Sequence, residues 1–172
     1  RKARMGASPP ILRGAFRPFF FAGAAWGLVA LTLWILTLAG SLALPSHFDA
    51  LSWHRHEMLF GFVGAVIAGF LLTAIPNWTG RLPIAGRSLA ALFGLWAAAR
   101  IALLCSAWVG AFTAALLDVG FFLVLALVAA REVLAAGGVR TAGGRRALRT
   151  LARRTSVSTV TRWATSSRTA TR

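Results

Sequence analysis

Trp53-His54-Arg55-His56-Glu57-Met58 runs straight into Leu59–Ile75, LFGFVGAVIAGFLLTAI, a stretch with no charged residue that stops at Pro76. Counted from Met58, the run is 18 residues long, enough to qualify as a membrane-crossing helix. No apolar–polar alternation of period two appears along it, which argues against a strand. Two histidines, an acid and a thioether therefore stand at the mouth of an apolar helix. Ionisable groups at membrane depth are costly and read as functional by default.

Working outward, three more uncharged or nearly uncharged runs appear. Phe19–Leu44 ends at Pro45 and is too long for the apolar part of a cleaved signal peptide, which takes about 7–15 residues. Ser88–Cys105 contains Arg100, and Phe112–Ala130 contains Asp118. The connections are Pro45–Glu57, Asn77–Arg87 and a short turn over Ser106–Ala111. The expected fold class is all-α, a polytopic transmembrane bundle with four spans. Its domains are a basic segment over 1–14, a four-helix transmembrane domain over 15–132, and a basic tail over 133–172.

Composition agrees with that class. The chain is 58% hydrophobic and 13% charged, where soluble domains are nearer half apolar and a quarter charged. Its mean hydropathy is +0.71. One cysteine, Cys105, excludes an intramolecular disulfide. The formal charge of +15 is uneven, since nine of the 19 basic residues follow Gly138 in a stretch without an acid. That stretch is expected to be a disordered basic tail, in contact with anionic lipid, or a sequence read out of frame. No fold signature for nucleic-acid recognition accompanies it, so nucleic acid is not an expected partner. The first residue is Arg1, not Met, so the chain is expected to be a piece of a longer protein.

Lys and Arg in short connections set orientation. Arg1, Lys2, Arg4, Arg13 and Arg17 precede the first span, Arg81 and Arg87 lie between the second and third, and Arg131 follows the fourth, whereas the opposite side has only Arg55. Both termini are therefore expected in the cytoplasm, with the histidine-bearing connection outside. Trp53, Trp78 and Trp108 fall at span ends, where indoles favour the headgroup zone. On the cytoplasmic side the sequon Asn77-Trp78-Thr79 would not be glycosylated.

Two constellations can carry chemistry. His54 and Met58 are four apart and share a face on a helix, and imidazole with thioether suits haem iron or copper. His54 and His56 are two apart, so on one helix they point apart, although a loop-to-helix junction would let them converge. His47 is a third candidate from the same connection. The competing reading is interfacial histidines, with Glu57 complementing the start of the helix. The second constellation is Arg100 with Asp118. Helical rise puts both roughly 8–10 Å below the outer boundary on consecutive spans. They read as a structural ion pair, or as partners of a haem propionate or other anion. Gly61, Ala65 and Gly69 form a small-residue face for close packing of a helix or a flat cofactor.

Three ordered motifs resemble the NnrS family: Gly14-Ala15-Phe16-Arg17-Pro18-Phe19-Phe20, then Trp53 to Phe62, then Ala68 to Arg81. Arg100 and Asp118 fit its pattern too, and the resemblance covers about residues 14–132. It implies a bacterial inner-membrane protein containing haem and copper, with a role in nitric oxide response or denitrification, and no clear enzymatic activity. It also implies His54 and His56 as metal ligands, with Glu57 and Met58 beside them at the cofactor. Arg55 stands where a small residue is usual, and the tail does not resemble the family's continuation. Nitric oxide, membrane lipid and further helices of a full-length protein are the implied partners. The alternative is a non-catalytic transporter or assembly segment whose polar residues serve only helix packing.

Overall fold

The computed structural model describes residues 14, 16–80 and 82–135. They form four helices long and apolar enough to cross a membrane, α1 (Phe16–Leu38), α2 (Ala50–Thr79), α3 (Arg87–Leu104) and α5 (Ala111–Ala135), with a single short turn of helix, α4 (Ser106–Val109), between the last two. There is no strand among the described residues. The expected tail features, disorder, lipid contact or a frame change beyond 137, lie outside them.

Local chemistry sets the ends, and several of them differ from the sequence reading. The first span stops at Leu38 rather than Leu44. Gly40 turns the chain left-handed at φ 71°, and the N–H groups of Gly40 and Ser41 close back on Thr37 O and Leu36 O at 3.1 and 3.0 Å. This glycine-terminated cap satisfies the last carbonyls of the helix. Absence of charge alone could not mark that stop.

The second helix begins at Ala50, so Trp53–Glu57 is helix and not connection. Asp49 is the cause: its Oδ1 accepts the N–H groups of Leu51 and Ser52 at 3.1 and 3.0 Å, two of the donors a helix start leaves free. The helix also runs through Pro76 to Thr79. Proline is tolerated inside membrane helices where neighbours re-satisfy the freed backbone. Gly80, at φ 66°, ends it.

The core lies where α1, α2, α3 and α5 meet. Phe19, Ala65, Ala68, Leu72, Leu89, Leu92, Trp96, Phe121 and Leu125 are all buried there. Phe19 sets its ring edge-on to Phe93 at 5.6 Å and to Trp96 at 6.4 Å. The small-residue face of α2 is taken up by α1: a Cβ on Gly69 would meet Phe20 at 2.8 Å, and one on Gly23 would meet the Ala65 Cβ at 2.9 Å. The opposite faces, with Phe21, Leu28, Phe112, Leu123 and Leu127, are exposed and apolar, as lipid contact requires.

One end of the bundle is tied across its connections. Ala107 N–H donates to Pro45 O at 3.1 Å and His47 N–H to Ser106 Oγ at 2.9 Å, while Ser46 Oγ lies 3.1 Å from Ser106 Oγ. The α1–α2 connection and the α3–α4 turn therefore occupy the same end.

Candidate functional site

A buried charge cluster sits a few helical turns below that tied end. Each of the four long helices contributes to it. From α3, Arg100 Nη1 donates to Glu57 Oε2 on α2 at 3.0 Å, and Arg100 Nη2 donates to Asp118 Oδ1 on α5. From α1, Trp26 Nε1 donates to the same Glu57 Oε2 at 2.6 Å. Glu57 is 0% exposed, Arg100 1% and Asp118 5%. His56 closes the group, with Nε2 3.3 Å from Asp118 Oδ2 and Nδ1 3.7 Å from Glu57 Oε1. Charges buried at this depth persist because they are paired and hydrogen-bonded.

The backbone is shaped to admit the cluster. From Glu57 to Val63 helix α2 widens into a π-helix, with Gly64 N–H reaching back to Leu59 O. Such segments are rare and concentrate at functional sites. The wider turn leaves Gly61 O open to Trp96 Nε1, at 3.1 Å. Gly61 is itself a requirement: a Cβ there would lie 2.7 Å from Glu57 Oε2, 3.0 Å from Trp26 Nε1 and 3.1 Å from Arg100 Nη1.

The two histidines do not converge. Both lie within the helix, so the loop-to-helix junction that would bring them together is absent. His54 turns toward α1 and stacks on Trp34, with ring centroids 4.1 Å apart and planes 11° apart. Its Nδ1 is buried, and neither ring nitrogen has a hydrogen-bond or ionic partner among the described residues. His56 turns toward the carboxylates and toward Phe60, 4.7 Å between centroids. Met58 is half-buried, and the π turns that start at Glu57 alter the four-residue register that would stack it on His54. His47 and Arg55 are exposed.

Two further expectations change. Glu57 does not serve the start of the helix, because Asp49 does so and Glu57 lies a full two turns inside. Trp53 is not turned to the headgroup zone: it is only 1% exposed, packed inward by the early start of α2. Trp78 and Trp108 are exposed, as expected of interfacial indoles. Trp26, Trp34 and Trp96 also belong to the site, and nothing in their sequence positions marks them. Gly61, expected in a small-residue packing face, belongs to it as well, four residues after Glu57 and about one turn along the same helix.

Donor chemistry can be weighed against a metal group. Among the described residues no set of three or more His, Cys, Asp or Glu side chains is arranged to hold a metal ion. Haem iron takes only one or two protein ligands, and the half-buried imidazole of His54, whose buried Nδ1 has no partner among the described residues, fits as one of them. A copper centre of the kind built on three protein donors is not completed by these residues alone. A groove of about 440 Å3 between α3 and α5, lined by Leu92, Leu95, Val124, Val128, Arg131 and Glu132 among others, lies toward the opposite end of α3 from Arg100 and holds none of the cluster.

No curated protein and no solved structure matches the chain. A family model described as NnrS protein does match, over residues 10–159. The match runs past residue 132, where the motif resemblance ends, and so reaches into the stretch expected to leave the family. Covering most of the chain, it shows that this four-span membrane chain belongs to the NnrS family.

Proposed function

We propose that the chain is a haem- or copper-binding protein of the bacterial inner membrane that serves nitric oxide response or denitrification, without being an enzyme in its own right. The observation that carries this reading is the half-buried imidazole of His54, whose buried Nδ1 has no partner among the described residues, in a helix long enough to cross a membrane. A polar nitrogen left unpaired at that depth costs about 1–3 kcal/mol, a cost that coordination would remove. Bound haem or copper would supply a centre able to take nitric oxide as ligand. His54 and His56 are the candidate ligands, and Glu57 and Met58 flank them. Further ligands would come from other helices of a longer protein. Both termini are placed in the cytoplasm on the strength of the Lys/Arg asymmetry.

The test is the absorption spectrum and metal content of the full chain purified from membranes. The wild type should show a Soret band or stoichiometric copper, and the double variant His54→Ala/His56→Ala should lose it. Equal content in both proteins would overturn the assignment. One observation favours the alternative, a non-catalytic transport or assembly segment: Arg100 joins Glu57 and Asp118 across three helices, an arrangement that holds a bundle together without any ligand. A wild type free of haem and copper would support that alternative.

A further inference from the structure

We infer that the two histidines of the H-x-H run serve different sites. His54 alone is the imidazole ligand, Trp34 is its positioning residue, and His56 is a member of the internal ion cluster. This rests on the metal-binding reading given above and narrows it.

The two side chains leave α2 toward different helices, His54 to α1 and His56 to α5. A single ion cannot reach both rings, since metal–imidazole bonds are about 2 Å long. Their surroundings differ as well. Each nitrogen of His56 faces a carboxylate oxygen, Asp118 Oδ2 at 3.3 Å and Glu57 Oε1 at 3.7 Å. Both of those carboxylates also hold the Arg100 guanidinium. A metal cation brought to His56 would sit beside a fixed positive charge whose counter-ions are already shared. His54 has no such neighbours. The aromatic face of Trp34 is its partner, and no hydrogen bond orients its ring. Metal-bound histidines are normally oriented through the second nitrogen; here a near-parallel stack takes over that task.

The test uses the full chain in detergent and separates the two histidines. His54→Gly should lose bound haem or copper, and added imidazole should restore it, which a merely structural role would not allow. His56→Gln should keep the bound group and its spectrum while lowering the melting temperature. Trp34→Leu should weaken metal affinity about tenfold, at the low end for residues that orient a ligand, and Trp34→Phe should recover it. Loss of the bound group in His56→Gln, or its retention in His54→Gly, would overturn the division of labour while the metal-binding reading stands. A wild type with neither haem nor copper would overturn both.

Discussion

A guanidinium enclosed by four helices has no bulk water to hydrogen-bond, so its partners must come from protein. Arg100 finds two carboxylates, and the indole of Trp26 shares one of them. Removing one member of such a group leaves an uncompensated buried charge, which typically costs about 3–5 kcal/mol. Arg100→Gln should therefore destabilise the protein by that order, read from denaturation in mild detergent. Combining it with Asp118→Asn should give a smaller loss than the two singles together, because groups in contact couple by about 0.5–3 kcal/mol; strictly additive losses would show the contact contributes nothing. Gly61→Ala should cost about 1–3 kcal/mol through overpacking, since its methyl would press on Glu57, Trp26 and Arg100 at once. A neutral Gly61→Ala would mean that the approach is looser than the geometry implies. The Arg100–Asp118 relation was legible because helical rise converts sequence position into depth. The share of Glu57 was not, because which helix an inward carboxylate meets depends on the lateral order of the spans. Trp26 was hidden for a related reason, since an indole inside an apolar run looks like any other apolar residue.

At the scale of helices, the class and number of spans follow from uncharged length, while the ends follow from caps that length cannot show. Asp49 begins α2 a full two turns ahead of Met58. Its carboxyl is held below the ordinary aspartate range by Ser52, through the hydroxyl first and the backbone N–H second, with Leu51 N–H adding to it. A depressed folded value means that the cap's contribution is present above the unfolded value and is lost as the pH falls through the folded one. Thermal melts followed by circular dichroism should thus show wild type losing stability in acid, below the ordinary aspartate range. Asp49→Asn, which still caps but cannot titrate, should show a shallower acid dependence. Parallel profiles would remove Asp49 as a contributor. The same pairing of caps and length explains the first span, where Gly40 and not Pro45 sets the end. The π turns at Glu57–Val63 were the least legible element. They answer to a tertiary hydrogen bond from Trp96 to Gly61 O and to the space that the cluster needs, neither of which has a periodicity along the chain.

Taken whole, the described bundle buries Glu57, Arg100 and Asp118 inside its spans and turns apolar side chains such as Phe21, Leu28, Phe112, Leu123 and Leu127 outward, the arrangement a lipid solvent demands when ionisable residues are present. The tie between Ser46, His47 and Ser106 puts the α1–α2 connection and the α3–α4 turn at one end, so Ser41 and Ser88 lie at opposite ends of the bundle. Which end faces the cytoplasm is decided by charge and not by packing. Arg17 and Arg87 stand at the ends away from the tie, whereas Arg55 is the lone basic residue between α1 and the buried part of α2. The bias in short connections orients such proteins with the basic end inside. In a Cys105→Ser background, Ser41→Cys should react with a membrane-impermeant maleimide in intact cells, and Ser88→Cys should react only after the membrane is opened. Both positions are exposed to solvent or headgroups rather than packed, so access and not burial controls labelling. The reverse pattern would invert the topology and move the His54 and His56 end to the cytoplasmic face. Labelling of both from outside would break the four-span reading itself.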